Sequence, residues 1–320
     1  MTGVRFFCSY VWLVGKKVVI LQPNIRIMKA MRKFRIILLS LVAAILTGCG
    51  TTSTVPITGR KQTLLVSDEQ VNGLALQQYQ QFMTQAKAST NATNTAMVKR
   101  VGQRLASAVT TFLNQSGMSE DVKNYNWEFN LVQDKQVNAW CMPGGKIVVY
   151  EGLLPVTQNE GSLAIVLGHE IAHAVAKHSA ERLSNEYKNQ IGVQVLSSVL
   201  ANTSETTQQL AAIVHSVGGQ LWTSGFSRKQ ESEADHMGLI FAAMAGYDPQ
   251  VATTFWQRMA AQGTGSSSIF SDHPSDATRI QQIQQWMPEA LKYYKPVTTT
   301  TTKTTAKKTT TTKKTTTKKK

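Results

Sequence analysis

Cysteine is scarce in this chain: the 320 residues contain only Cys8, Cys49 and Cys141, and no two of them are spaced as C-x-x-C. The low count excludes the dense disulfide framework of a small secreted domain, and the spacing makes thiols poor candidates for metal ligands. Long apolar runs are missing near the amino terminus as well. The run from Ile36 to Leu46 has eleven residues, whereas a membrane-spanning helix needs about 20.

Acidic residues are absent from both ends of the chain. Residues 1–48 and 301–320 each carry eight basic residues and no acidic one, whereas the stretch between them holds 18 basic and 19 acidic residues. The net charge of +15 therefore comes from the ends, and the near-neutral core gives no indication of nucleic-acid binding. Residues 296–320 are almost entirely Thr and Lys, so we expect a disordered tail.

The amino-terminal segment has the pattern of an export signal. Basic residues at 29, 32, 33 and 35 precede the short apolar run, which ends Leu46-Thr47-Gly48-Cys49. This ending resembles a bacterial lipobox, in which the cysteine is lipidated and becomes the mature amino terminus. The alternative is a plain signal peptide with an incidental cysteine.

Several expectations about location follow from this pattern. We expect residues 1–48 to be a lipoprotein signal and residues 49–55 a lipidated tether. Translation that starts at Met28 or Met31 would give a signal of more ordinary length. The residue after Cys49 is Gly50 and not Asp, which favours sorting of the lipoprotein to the outer membrane. The expected location is the bacterial cell envelope, with an acyl anchor in the bilayer and the protein facing the periplasm.

The strongest motif is H-E-x-x-H at residues 169–173, within a run of apolar residues. Positions four apart lie on the same face of a helix, so His169 and His173 can direct two imidazoles to one zinc ion. Glu170 then lies beside the metal, where it can take a proton from the attacking water. A buried helix with two core histidines is the alternative, and the pattern favours a zinc metallopeptidase.

Helix signals surround this motif. The stretch from Asp68 to about Lys87 lacks proline and follows a candidate N-cap, Ser67. Residues 93–116 repeat apolar side chains at helical spacing, and residues 185–215 are expected to be helical with a polar interruption at 202–207. Thr157 and Glu160 have the T-x-x-E spacing of a capping box, which would start the motif helix.

Strand signals precede the motif. Residues 127–132 are expected to form a strand. Residues 137–150 place Pro-Gly-Gly before Ile-Val-Val-Tyr, which predicts a hairpin.

A catalytic zinc site needs a third protein ligand, and residues 227–235 offer three acidic side chains. Glu231 and Asp235 are four apart and share a helical face, so one can bind zinc while the other orients a ligand histidine. Glu233 is expected to point away. The alternative is a solvated acidic start of a helix, which the helix dipole favours.

Six motifs in order resemble peptidase family M48, the Ste24/HtpX-like zinc metallopeptidases, and in particular its soluble lipoprotein branch of bacterial envelopes. They are T-G-R at 58–60, N-A-x-x-x-P-G-G at 138–145, N-E at 159–160, H-E-I-A-H at 169–173, S-R-x-x-E-x-E-A-D at 227–235 and H-P at 273–274. The resemblance implies a metallopeptidase domain over residues 56–295. Its expected fold is α+β, mostly helical and gluzincin-like, with a small sheet beside the H-E-x-x-H helix.

The resemblance also implies the roles of individual residues. One zinc ion would be held by His169, His173 and Glu231. Glu170 would be the general base, and Asp235 would orient a ligand.

The expected roles of four further residues are less specific. His273 and Arg279 are candidates for stabilising the oxyanion, because the resemblance places their segment over the active site. His273 could instead occupy the fourth zinc position and keep the enzyme latent, or it could be a surface residue before a helix. His178, five residues after His173, is expected to be rotated off the ligand face. Cys141 is expected to be a buried spectator.

The sequence thus predicts a zinc metalloendopeptidase that acts on unfolded or misassembled envelope proteins. The hairpin at 137–150 would offer an edge strand on which an extended polypeptide binds by strand addition. Two alternatives remain open. One is a latent or non-proteolytic, chaperone-like zinc lipoprotein, and the other is a narrow peptidase that trims peptides or acts on one partner.

Overall fold

The computed structural model describes residues 10–14, 17–21, 50–201, 225–261 and 277–296. Several sequence predictions concern other parts of the chain. The apolar run of the export signal, Cys49, the polar stretch at 202–207, His273 and the tail from 297 onward lie outside the described residues.

Helices make up most of the described chain, and the strands are short. In chain order the elements are β1 (Tyr10–Val14), β2 (Lys17–Leu21), β3 (Thr51–Thr54), β4 (Lys61–Leu64), α1 (Asp68–Gln85), α2 (Ala92–Gln115), α3 (Ser119–Val122), β5 (Glu128–Val132), β6 (Ala139–Met142), β7 (Lys146–Tyr150), a 3-10 turn (Glu151–Leu153), α4 (Leu154–Thr157), α5 (Glu160–Val175), α6 (His178–Ala201), α7 (Arg228–Met244), α8 (Val251–Ala261) and α9 (Ala277–Tyr293).

Three strands form one sheet in the order β5-β7-β6, in which β7 pairs in parallel with β5 and antiparallel with β6. β6 and β7 are the predicted hairpin. Gly144 and Gly145 turn the chain between them with φ angles of 83°, a region that favours glycine. Every residue of β7 is buried, because α1 packs on one face of the sheet while α2 and α5 pack on the other.

Helix α5, which carries the H-E-x-x-H motif, is the centre of the core. All residues from Ser162 to Val175 are buried, as expected for a helix that is apolar on all sides. Helix α7 packs against it through Gly168 and Gly238. A Cβ atom on Gly168 would lie 2.7 Å from the carbonyl oxygen of Gly238, and this close approach requires glycine.

The start of α5 differs from the prediction. Asn159 is the N-cap, and its side chain accepts a hydrogen bond from the backbone N–H of Ser162 at 2.9 Å. Thr157 is instead the last residue of α4, and its hydroxyl donates to the carbonyl of Leu154. The predicted T-x-x-E capping box is therefore wrong, because Gln158, with a φ of 65°, turns the chain between the two helices.

The end of α5 also differs. The helix ends at Val175, and Lys177 adopts a φ of 56° before α6 begins at His178. The Lys177 ammonium donates to Asp68 at 2.7 Å and to Asp121 at 2.8 Å, and these ion pairs hold the turn. His178 therefore starts a new helix and does not continue α5.

The other predicted elements are mostly present. α1 has Ser67 as its N-cap, with a capping box to Gln70, and α2 closely matches the predicted helix at 93–116. β3 lies within the stretch predicted as a tether, and it pairs with β4. The predicted mostly helical α+β fold, with a small sheet beside the motif helix, is confirmed. Among the described residues, no helix is both long and apolar enough to cross a membrane.

Candidate metal centre

Three side chains from two helices meet at one point. His169 and His173, one turn apart on α5, place their Nε2 atoms 3.1 Å from each other. Glu231, in the first turns of α7, places one carboxylate oxygen 3.5 Å from His169 Nε2 and the other 3.4 Å from His173 Nε2. All three residues are at most 4 % exposed. Among the described residues they form the one group of three such side chains that could hold a metal ion.

The spacing of this group fits a tetrahedral zinc ion. Zinc binds imidazole nitrogen and carboxylate oxygen at about 2.0–2.1 Å, so tetrahedral ligand atoms lie roughly 3.3–3.4 Å apart. The separations of 3.1, 3.4 and 3.5 Å agree with this value to a few tenths of an ångström. Two imidazoles and one carboxylate are also a donor set that catalytic zinc uses, with a fourth position left for water.

The outer nitrogen of His169 contacts Asp235. Asp235 follows Glu231 by one turn of α7, and its Oδ1 lies 2.9 Å from His169 Nδ1. Arg279 of α9 donates to the same oxygen at 2.6 Å, and its guanidinium carbon lies 3.5 Å from the centre of the Trp256 ring. Burial alone lowers the pKa of His169, but hydrogen bonds with Asp235 and Glu231 raise it to about 9. The contact with Asp235 is thus made by the His169 nitrogen that does not face Glu231, and it raises the pKa of the ring.

The outer nitrogen of His173 contacts a second histidine. His178 Nδ1 lies 2.8 Å from His173 Nδ1, and His178 Nε2 lies 3.0 Å from Glu233 Oε2. Burial lowers the pKa of His173 well below its usual range, and burial also lowers the pKa of His178. The ring of Phe226 stacks on His173, with centroids 4.0 Å apart.

Glu233 is held in turn by the loop between β3 and β4. It accepts hydrogen bonds from the Thr58 hydroxyl at 2.6 Å and from Arg60 Nε at 2.8 Å. Arg60 also donates to Glu181 at 2.6 Å, so one guanidinium lies between two carboxylates. Burial raises the pKa of Glu233, but hydrogen bonds from His178, Arg60 and Thr58 lower it to about 2.

The structure corrects one expectation about this second group. His178 was expected to be rotated off the ligand face, yet it is fully buried and its ring contacts a predicted zinc ligand, His173. Because α5 ends before His178, the direction of this side chain does not follow from helical rotation counted from His173. Glu233 does point away from the three ligand atoms, but it is 8 % exposed and bonds to His178. The T-G-R motif was the sequence signal for this group, since it supplies Thr58 and Arg60.

Four other residues complete the description of the site and its surroundings. Glu170 is 2 % exposed on α5, directly after His169. Cys141 is partly buried, and burial raises the pKa of its thiol, with a contribution from the Glu170 carboxylate. His236, for which no site role was predicted, bonds to Glu289 at 2.7 Å on the outer side of α7. His273 lies outside the described residues.

The chain is similar in sequence to known metalloendopeptidases. The chain is 37 % identical over 242 residues to the mitochondrial metalloendopeptidase OMA1 of Schizosaccharomyces pombe, which covers 74 % of this chain and 66 % of that protein. It is 30 % identical over 245 residues to the mitochondrial metalloendopeptidase OMA1 of Homo sapiens, covering 74 % and 46 %. It is 28 % identical over 183 residues to the beta-barrel assembly-enhancing protease of Escherichia coli (strain K12), covering 54 % and 37 %. The chain thus spans between about a third and two thirds of the length of these relatives.

A family model matches most of the folded chain. The model of peptidase family M48 aligns with residues 74–287, a range that includes His169, His173 and Glu231 with their neighbours Asp235 and Arg279. The match and the OMA1 relatives support the predicted metalloendopeptidase. The chain belongs to peptidase family M48.

Proposed function

We propose that this chain is a zinc metalloendopeptidase in which His169, His173 and Glu231 bind the metal. The observation that carries the proposal is the spacing of their ligand atoms, 3.1 to 3.5 Å, in a buried site at the crossing of α5 and α7. A zinc ion bound there would polarise the scissile carbonyl and lower the pKa of a water molecule to about 7.

Glu170 is the proposed general base. Support comes from the H-E-x-x-H motif, in which the glutamate after the first histidine serves as the base beside zinc, and from the burial of the Glu170 side chain. It takes a proton from the attacking water and passes it to the leaving amine. Substitution by glutamine keeps the shape and removes this capacity.

Arg279 is a proposed stabiliser of the oxyanion. Its Nη2 atom is engaged by Asp235, while its Nε and Nη1 atoms are buried without a hydrogen-bond partner among the described residues. Those N–H groups can donate to a charge that develops next to the metal. We keep His273 as a second candidate, either as an oxyanion donor or as a fourth ligand that holds the enzyme latent.

The proposed substrate is an extended polypeptide. Strand β6 lies at one edge of the three-stranded sheet, and among the described strands it pairs only with β7. It also packs beside α5, so a peptide added along this edge would run past the metal ligands. Unfolded or misassembled proteins offer extended segments of this kind.

The proposed location is the bacterial envelope, with Cys49 as the lipid-modified residue. Support comes from the lipobox-like ending at Cys49 and from the name of one relative, the beta-barrel assembly-enhancing protease of Escherichia coli. The proposed substrates are therefore unfolded or misassembled envelope proteins. Incorporation of labelled palmitate into the full chain, and its loss in Cys49→Ser, tests the anchor. Equal labelling of both proteins would contradict it.

One experiment tests the activity directly. The purified full chain is incubated with casein, an unfolded substrate, and with a folded protein of similar size. We expect cleavage of casein alone, its loss with 1,10-phenanthroline and its recovery with added zinc. Cleavage that resists the chelator would contradict the proposal. A chain that binds zinc, leaves casein intact and suppresses aggregation would instead favour the chaperone-like alternative.

A further inference from the structure

We propose that His178, Glu233 and Arg60 are positioning residues for His173, and that they fix the imidazole tautomer that presents Nε2 to the metal. This inference rests on the metal site proposed above and extends it to residues outside that site. Its basis is a continuous chain of contacts that runs from the buried His173 and His178 to the partly buried loop between β3 and β4.

Hydrogen bonding determines where each proton lies. The Nδ1 atoms of His173 and His178 are 2.8 Å apart, so one of them donates and the other accepts. His178 Nε2 faces the Glu233 carboxylate at 3.0 Å, which only accepts, so this nitrogen carries the proton. His173 Nε2 lies 3.1 Å from His169 Nε2 and 3.4 Å from a Glu231 oxygen, among the proposed ligand atoms, so His173 carries its proton on Nδ1 and donates it to His178 Nδ1. His173 Nε2 is thereby left without a proton, as a metal ligand must be.

The far end of the chain is anchored firmly. Glu233 accepts from Thr58 at 2.6 Å and from Arg60 at 2.8 Å, in addition to His178. Arg60 is fixed in turn by Glu181, which also accepts from Gln230 at 2.8 Å. These hydrogen bonds hold the Glu233 carboxylate in place, and the lowered pKa keeps it ionised near neutral pH. The loop that supplies Thr58 and Arg60 acts on the metal site without touching it.

A parallel arrangement on the other ligand supports this reading. His169 Nδ1 contacts Asp235, which accepts from Arg279 at 2.6 Å. Both carboxylates come from α7, two positions apart, and each is paired with an arginine from a distant part of the sequence. The link to His173 is longer by one imidazole ring. A carboxylate that fixes the second nitrogen of a metal-bound histidine typically changes metal affinity about 10- to 100-fold.

The first test measures zinc affinity by chelator competition on the full chain. We expect His178→Phe to weaken zinc binding about 10- to 100-fold, and Glu233→Leu to do the same. His178→Asn should recover much of the affinity, because its side-chain oxygen can still accept from His173 Nδ1. The matched control is His236→Phe, a histidine of α7 whose partner is Glu289. Equal affinity in wild type, His178→Phe and Glu233→Leu would overturn the proposal.

The second test does not depend on zinc. Long-range 1H–15N NMR spectra of the metal-free chain report the tautomer of each of the six histidines. We expect the Nδ1–H form for His173 and the Nε2–H form for His178, with His173 becoming a mixture of forms in His178→Phe. The opposite tautomer of His173 in the wild type would overturn the inference. The expected tautomers in a chain that binds no zinc would support the hydrogen-bond chain and contradict the proposed zinc enzyme.

Discussion

Gly168 and Gly238 lie backbone against backbone at the crossing of α5 and α7. A Cβ atom on Gly238 would lie 2.6 Å from the backbone nitrogen of His169, a distance that real Cβ atoms do not tolerate. This contact brings Glu231 and Asp235 within reach of the histidines, because both carboxylates lie on α7 within two turns of Gly238. The metal site thus depends on how closely two helices can approach.

Replacing Gly238 by alanine tests this dependence. We expect Gly238→Ala to lower the free energy of unfolding by about 1–3 kcal/mol, since the added methyl group must push the helices apart. Zinc affinity should fall with it. Urea unfolding and chelator competition measure the two effects.

Gly73→Ala is the matched control. Gly73 also lies inside a helix, α1, but an added Cβ would meet nothing within 4 Å. We expect this variant to be as stable as the wild type, or more stable by up to about 1 kcal/mol. Equal stability of the two alanine variants would show that the helix contact does not constrain the site.

Asp235→Asn tests the contact with His169. Asparagine can still accept from His169 Nδ1–H but carries no charge, and it leaves the buried guanidinium of Arg279 without its anionic partner. We expect zinc affinity to fall about 10- to 100-fold. Asp248→Asn, at a carboxylate that caps a turn away from the metal, is the control. An unchanged zinc dissociation constant in Asp235→Asn would argue against the orienting role.

The pH dependence of stability tests the surroundings of Glu233. Its pKa of about 2 in the folded chain lies below the value of about 4.3 for an unfolded chain. A lowered pKa stabilises the folded state above the unfolded value, and this contribution is lost as the pH falls through the folded value. The free energy of unfolding should therefore decline between about pH 4.5 and pH 2 through this group.

Glu233→Gln isolates that contribution. We expect the difference in the free energy of unfolding between wild type and Glu233→Gln to be constant above about pH 5 and to shrink toward pH 2. Chelator is present throughout, so that zinc does not contribute. Glu69→Gln, at an exposed position in the first turn of α1, controls for the loss of one carboxylate. A difference that stays constant down to pH 2 would contradict the buried ion pair.

Local sequence patterns account for the way the central residues of the site share helix faces. His169 and His173 are four apart on one helix, and Glu231 and Asp235 are four apart on another, so helical geometry alone places each pair on one face. The pairing of the two helices was inferred from the need for a third zinc ligand and from the family resemblance. The glycine contact that brings them together involves residues 70 positions apart, and periodicity carries no information on it.

His178 shows why the rest could not be predicted. Five residues along a continuous helix rotate a side chain by roughly 140°, which would place His178 away from the metal. The left-handed turn at Lys177 interrupts the helix and so changes the direction of the His178 side chain. That turn depends on ion pairs with Asp68 and Asp121, both far away in sequence. Tertiary contacts of this kind leave no local pattern. The same holds for the capping of α5, where Asn159 replaces the expected Thr157 because of the turn at Gln158.

The most direct test of the account compares the full chain with Glu170→Gln. Zinc content is measured by atomic emission and cleavage of casein by gel electrophoresis, on the same preparations. The account predicts about one zinc ion per chain in both proteins. It predicts cleavage by the wild type and a loss of about 100-fold or more in the variant. Casein cleavage by Glu170→Gln at the wild-type rate, or the absence of zinc from both proteins, would contradict it.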